Sequence, residues 1–502
     1  MAQPFILAID EGTTNAKAIA VSQSGQVLSK GSQPVELVYP HPGWAEQDPE
    51  QIWQATVSAI SACLQPLAGD VPSGIAISNQ RESVLIWERS TGKALTPLVS
   101  WQCRRSEEIC RQIAQKPEAE QVKAFTGSVI DPLFPATKIR WLLDTLEQGT
   151  ERAVKGELCA GTVDSWLVWK LTGGQQFVTD ASNASRYQLF NIHTFAWDSQ
   201  LLDLYQIPRQ CLPDVLPSCG LRGQTSGLSV LPDGIPVLSQ IGDSHAALYG
   251  QGGFNPGVVK ATYGTGSSLM VRIETPPKQD LGVSTTVAWD DGKPGLAMEG
   301  NITHTGSAIQ FISRMLGITE IDQLSEMAWS VKDSREVFFV PALAGLGAPH
   351  WDANARGLIT GLTDAATPAH IARAAFESVA YQVADLLFAM EQSAEMTLSE
   401  LSVDGGPTKN QQLMQFQADL LQKRIIKRDI AEVSALGAAF LAGRALNWWP
   451  DHQSLTALLP ASEVVIPNPD AEQIHQHYKQ WQQAIQRARF QASPLSNESK
   501  RS

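Results

Sequence analysis

The sequence predicts an α/β chain of two like domains with a nucleotide-binding cleft between them, and three observations carry that prediction. The first is the stretch FILAIDEGTTNAKAIAV over residues 5–21. Its opening apolar run, with β-branched members, reads as a buried strand; a Gly/Thr turn follows, and a second apolar run begins at Ala18. The second is a copy of that layout, GVVKATYGTGSSLMV, over residues 257–271. Self-similarity at half the chain length points to two similar domains, each presenting a phosphate-facing hairpin. The third is length: 502 residues exceed one core and suit two domains of roughly 250 residues each.

Within the first hairpin, Asp10 closes a strand where its carboxylate can face a cation. Gly12 lets the backbone approach an anion, and Thr13, Thr14 and Lys17 add hydroxyls and a positive charge. The pattern is not the P-loop, which needs Gly-x4-Gly-Lys-Ser/Thr opening a helix. An ordinary hairpin turn would account for the first copy alone. The repeat favours a metal-bound nucleotide phosphate held from both sides.

Composition narrows the class. A hydrophobic fraction of 43% with 18% charged residues is that of a globular protein. A formal charge of −13 gives neither a nucleic-acid footprint nor a membrane-surface patch, so any phosphate site must be built locally. No apolar run approaches the ~18 residues of a membrane span, and the N-terminus carries no signal-peptide pattern. Six cysteines without a Cys-x2-Cys pair argue against disulfides or zinc and for a reducing cytoplasm. The sequons at Asn183 and Asn301 are accordingly read as accidental.

Along the chain, residues 26–28 add a third antiparallel strand. Asp48-Pro49 opens a helix, with an acidic N-cap, Pro at the first position and Gln51 three residues after the cap. Ile52, Trp53, Val57, Ile60 and Leu64 form its buried face. A strand over residues 75–78 runs into Asn79-Gln80-Arg81-Glu82-Ser83, and another follows over 84–87. Arg81 offers a planar fork and Glu82 an acceptor, a pair able to read vicinal hydroxyls, although a surface ion pair fits equally. The Trp101 indole suits the carbon chain of a sugar, or a core position. A strand over 237–241 delivers Asp243, a carboxylate placed to take a proton from a bound hydroxyl and compatible with an N-cap. His245 reads as packed or solvated. The run 249–253 ends the first domain, giving domains 1–250 and 251–492 and a polar, disordered tail over 493–502.

In the second domain, residues 299–310 lead into a helix carrying Ile309, Phe311, Ile312, Met315 and Leu316, and residues 345–351 form a loop. Thr367-Pro368 starts a long core helix with Ile371, Ala375, Val379, Val383 and Leu387 on one face. At residues 401–410 a strand meets a helix through Gly405-Gly406. That junction lets a flat ring approach the backbone beside the Asn410 amide, or is a plain turn. Residues 434–443 form a small-residue helix for close packing.

With these segments assembled, the chain resembles the FGGY carbohydrate kinases, and within them the glycerol kinase branch, from about residue 5 to about 450. The resemblance is dense at residues 10–17, 78–83, 101–105, 161–171, 180–193, 255–266, 345–362, 377–382 and 404–417. It implies two actin-like, ribonuclease-H-type domains closing on ATP, Mg²⁺ and a small hydroxylated substrate, with homodimers or homotetramers common. By position, Gly12, Thr13, Thr14, Thr265 and Gly266 would face the phosphates. Asp10, with Asp243, would hold the metal, and Gly306, Gln310, Gly406 and Asn410 would line the nucleoside. Lys17 stands where the branch usually has Arg, keeping the charge without the fork. Arg81, Glu82, Trp101 and Asp243 match substrate positions. Leu133 stands in place of a Tyr, Ser244 of a Gln and Ser268 of an aromatic. These three changes leave a roomier pocket with fewer fixed donors. The loop through which the branch binds fructose 1,6-bisphosphate is missing from residues 223–236, so that control is expected to be absent.

The implied chemistry is in-line transfer of the ATP γ-phosphoryl group to a terminal hydroxyl of glycerol or a related small polyol or sugar, with Asp243 as general base. A tetritol, pentitol or ketose is the alternative acceptor. A rival from another class is an actin- or heat-shock-like ATPase acting as a conformational machine; a silent sugar sensor of the same fold is a second. Neither nucleic acid nor membrane is expected as a partner.

Overall fold

The computed structural model describes residues 3–67, 69–428, 430–469 and 472–489; the expected tail over 493–502 lies outside them. The first hairpin forms as its sequence requires. Strand β1 (Phe5–Glu11) is buried over Phe5–Ile9 and pairs antiparallel with β2 (Asn15–Ser22), which pairs with β3 (Val27–Pro34). Helix α1 (Pro49–Leu64) follows, with Asp48 as N-cap accepting from the Glu50 amide. The Gln51 side chain does not complete a capping box; its Oε1 accepts from the Glu36 amide. Strand β4 (Gly74–Asn79) then runs parallel to β1 on the far side from β2. Strands β5 (Cys219–Gln224) and β6 (Pro236–Gly242) complete the sheet, in the order β5-β6-β4-β1-β2-β3. From β6 the chain enters α2 (Asp243–Gly250) without a break.

The second half repeats this topology. Its hairpin is β7 (Val258–Tyr263) and β8 (Ser267–Ile273), followed by β9 (Ser284–Asp290), β10 (Pro294–Ile302) and α3 (Gly306–Met315). Helix α4 (Pro368–Ala394) is the long core helix, and β11 (Glu400–Gly405), α5 (Gln411–Leu421) and β12 (Arg424–Lys427) follow. Helix α6 (Val433–Ala445) and strand β13 (Glu463–Val465) come last. The sheet order is β9-β10-β8-β7-β11-β12-β13. In both sheets a hairpin is extended by an antiparallel strand on one side and by two parallel strands on the other. The expected pair of like α/β lobes is therefore present.

Helix α6 packs beneath the first sheet, joining Ala435, Ala438, Ala439, Phe440 and Leu441 to Ile6, Ala8, Ile19, Ala76 and Ile241 in one core. The small residues permit it. A Cβ on Gly437 would lie 1.9 Å from the Ala246 carbonyl oxygen of α2, so the two helices cross nearly backbone to backbone. This crossing holds the α2 N-terminus, with Asp243, against the second half of the chain: the Ser434 hydroxyl donates to the Asp243 carbonyl at 3.1 Å.

Candidate active site

The strands of the two hairpins, the start of α2 and the end of β11 meet in a cleft of ≈ 900 Å³, walled by Asp10, Lys17, Asp243, Ser244, Lys260, Thr262, Ser268, Asp404 and Gly406 among others. Gly406 is shared with a neighbouring ≈ 640 Å³ cavity that Thr265, Gly306, Gln310 and Asn410 also line. The structure thus brings Thr265, Gly306, Gln310, Gly406 and Asn410 together. Gly306 is demanded by close approach, since a Cβ there would fall 2.5 Å from the Gly264 carbonyl oxygen. The Asn410 amide is not idle: it caps α5 by accepting from the Leu413 amide at 2.8 Å and donates to Ser325 Oγ at 2.7 Å. Gly12, Thr14 and Gly266 sit in the two turns without lining either cavity. Gly266 serves the backbone, because a Cβ there would meet the Ile302 oxygen at 2.4 Å.

Asp10 accepts from Ser78 Oγ at 2.8 Å. Burial pushes its carboxyl up to about 6; the Ser78 hydrogen bond opposes that and the Asp243 charge reinforces it. Asp243 sits across the cleft with a side chain 38% exposed and Arg81 Nε at 3.2 Å. Its carboxyl is raised by desolvation on the cleft floor, against the pull of Arg81. Lys17 does not face the cleft as an unpaired charge: its ammonium lies 2.7 Å from Glu432. That pairing follows from α6 passing beneath the first sheet, which carries Glu432 to the phosphate side.

Arg81 and Glu82 are buried, at 8% and 5% exposure, and so are not a surface ion pair. Nor do they pair closely with each other, standing 4.0 Å apart. The Arg81 fork is bidentate on Glu299, at 2.9 and 2.7 Å. Arg186 bridges the two acids, with Nε 2.6 Å from Glu82 and Nη1 3.1 Å from Glu299. Burial alone would raise the Glu299 carboxyl, but Arg81 and Arg186 outweigh it and hold Glu299 well below the usual carboxylate range. Arg186 and Glu299 are thus site residues that reading the sequence did not single out. His245, directly beneath, is buried, and burial with the adjacent Arg81 charge keeps it neutral.

Beyond the Arg81–Glu299 pair opens a second pocket of ≈ 390 Å³, walled by Trp101, Asp131, Leu133, Arg186, Asn301 and Trp351 among others. Trp101 is half-exposed and its indole nitrogen donates to Thr13 Oγ1 at 2.9 Å, so it walls the pocket rather than filling a core. Leu133 is held from behind by the buried Lys138, whose ammonium donates to the Leu133 and Glu82 carbonyls at 2.7 and 2.9 Å. Burial pulls that lysine down to about 7. Ser268 Oγ is buried without a hydrogen-bond partner among the described residues. The sheet register sets it opposite Thr262 on one side and Asn301 on the other, a polar row leading from the large cleft to the second pocket.

Among the described residues no cluster of three or more His, Cys, Asp or Glu side chains could hold a metal, and no helix is long and apolar enough to cross a membrane.

Comparison with known proteins points one way. Residues 5–250 match the N-terminal domain of the FGGY family of carbohydrate kinases, and residues 259–446 match its C-terminal domain. The chain is 54% identical over 492 residues to the apulose kinase of Pectobacterium atrosepticum, covering 98% of this chain and 99% of that protein. It is 42% identical over 490 residues to glycerol kinase 2 of Thermotoga maritima, covering 96% and 98%. Its structure superposes on that of Plasmodium falciparum glycerol kinase with ADP at a TM-score of 0.93 and 30% identity, covering 98% and 99% of the two chains.

Proposed function

The chain belongs to the FGGY family of carbohydrate kinases, and from that premise we propose that it phosphorylates a ketose larger than glycerol, with Asp243 as general base. ATP is the phosphoryl donor of this family, and the reading as a conformational ATPase falls away with the family assignment. The observation that carries the choice of acceptor is the ≈ 390 Å³ pocket beside the Arg81–Glu299 pair. A three-carbon polyol leaves most of that volume empty, whereas a longer or branched ketose fills it between the Trp101 and Trp351 indoles. Leu133 contributes no hydroxyl to a short substrate, while Asn301 offers a polar group in the wall of the same pocket. The 54% identity to a protein named apulose kinase, against 42% to one named glycerol kinase 2, points the same way.

In this reading Arg81 holds the Asp243 carboxylate from its Nε, and Glu299 fixes the other edge of the Arg81 fork. Asp243 accepts the proton of the attacking hydroxyl, its raised proton affinity suiting it to that task. The Trp101–Thr13 hydrogen bond ties the substrate wall to the first phosphate turn. Asp10 and Asp243 would hold Mg²⁺. The Asp10 and Asp243 carboxylates both face the cleft, and oxygen donors of this kind fit a hard cation. When bound there, the ion would offset negative charge on the phosphates. Closure of the cleft should exclude water, so ATP hydrolysis without acceptor is expected to be slow.

The test is a coupled ADP-release screen over glycerol, tetritols, pentitols and ketoses including apulose. A ketose is expected to lead, with glycerol at least ~100-fold lower in kcat/KM. Glycerol as the best acceptor would remove the proposal.

A further inference from the structure

The cation that the first hairpin supplies, Lys17, is neutralised by Glu432 at 2.7 Å, and Lys427 at the cleft wall is likewise held by Glu463 at 2.7 Å. Asp10, Asp243 and Asp404 face the same space, so a triphosphate would meet three carboxylates there beside two lysines that are already paired. Lys260 stands apart. It lies on the central strand of the second sheet, opposite Met270 of β8 and Ser402 of β11. The residue is 2% exposed and lines the cleft with Asp243 and Thr262. Side chains alternate along a strand, so Lys260 and Thr262 point to the cleft while Ala261 and Tyr263 fill the core.

Among the described residues no hydrogen bond or ion pair within 4.0 Å reaches the Lys260 ammonium. The adjacent Asp404 is also half used: its Oδ2 accepts from Gln251, while its Oδ1 is buried without a partner. Desolvating an ammonium and leaving it unpaired is costly unless a ligand completes the site. Lys409 and Arg428, the remaining cations in this wall, are exposed and half-buried respectively, and the Arg428 Nε is also buried without a partner among the described residues.

We propose that Lys260 is a catalytic residue that binds the transferring phosphoryl group, its fixed ammonium contacting the terminal phosphate oxygens beside Asp243. The proposal rests on the reading of this cleft as the triphosphate site. In the transfer, the bond from the terminal phosphorus to the bridging oxygen breaks as the bond to the acceptor oxygen forms. The acceptor proton passes to Asp243, ADP leaves with the bridging oxygen, and Lys260 keeps its proton throughout. The positive charge is thus stationed where negative charge shifts during the reaction, the arrangement that lowers such barriers most.

Nucleotide binding without acceptor isolates this role. ADP and the β,γ-imido analogue of ATP are titrated, with Mg²⁺, into the wild type, Lys260→Met and Lys260→Gln, after thermal melts establish that each variant is folded. The expected result is that ADP affinity stays within about threefold. The imido analogue is expected to lose ~10- to 100-fold, and kcat in the coupled assay to fall at least ~100-fold. Equal weakening of both nucleotides would mean Lys260 only shapes the lobe, and unchanged affinities with near-normal kcat would mean it touches no phosphate; either overturns the proposal. Neither titration contains an acceptor, so an error in the acceptor or in the base assigned to Asp243 leaves the binding result untouched.

Discussion

Replacing Glu299 by Gln is the sharpest probe of the buried charge cluster under the acceptor site. Glu299 is 1% exposed and receives both prongs of the Arg81 fork, at 2.9 and 2.7 Å, with Arg186 Nη1 at 3.1 Å. The variant leaves two buried guanidiniums facing Glu82 and the half-exposed Asp243. Breaking a buried pair by removing one partner costs about 3–5 kcal/mol. The lower end applies here, because the Gln oxygen still accepts one bond and Glu82 still pairs with Arg186. A loss of ~3 kcal/mol in a lobe of this size lowers Tm by ~6–12 °C. The same change releases Arg81 toward Asp243, which lowers the proton affinity of the proposed base, so kcat should fall as well. The sign with pH follows from Glu299 being held below its ordinary value. Its stabilisation is fully present above about 4.5 and is lost as the pH falls toward its folded value. The gap between wild type and variant should therefore be constant from pH 6 to 8 and narrow in acid. Differential scanning fluorimetry across that range reads it. A Tm shift below about 2 °C at pH 7 would refute the claim that this pair holds the site.

Three further predictions concern neighbouring groups. Asp243→Asn should lower kcat by ~10²- to 10⁴-fold while ADP still binds; a near wild-type rate in the coupled assay would strip Asp243 of its role. Leu133→Tyr should fill part of the second pocket and add a hydroxyl, shifting the kcat/KM ratio toward glycerol over ketoses by at least ~10-fold, and an unchanged ratio would count against the pocket as the acceptor site. Lys138 is pulled from 10.5 to about 7 by burial. Between those values the unfolded chain carries a proton that the folded chain lacks. Wild-type stability should therefore rise with pH by up to ~1.4 kcal/mol per unit, that gain being lost as the pH falls to 7. Lys138→Met should flatten this slope in urea unfolding at pH 7, 8 and 9, and parallel slopes would contradict the assignment.

What could be read from the sequence was what is local. Each hairpin is written in adjacent residues: apolar runs set the strands, Gly and Thr the turn, and a recurrence at half-length revealed the second lobe. Asp10 and Asp243 were visible because a carboxylate at a strand end is a local pattern. The partners were not visible, because charge pairing here ignores chain distance. Glu299 meets Arg81 from 218 residues away, and Glu432 meets Lys17 from 415 away. Both encounters are made by the folding back of the second half, in particular by α6 crossing α2 where Gly437 allows it. Two lysines illustrate the point. Lys17 sits in a turn of polar residues and looked like the phosphate ligand, yet it is matched by an acid the sequence places on a distant helix. Lys260 is flanked by Val259 and Ala261 in an apolar strand, and alternation turns it into the cleft, where no carboxylate among the described residues lies within ion-pairing distance of its ammonium. A cation's availability to a ligand is thus fixed by which carboxylates the tertiary fold brings to it, and residue type and local motif are silent on that.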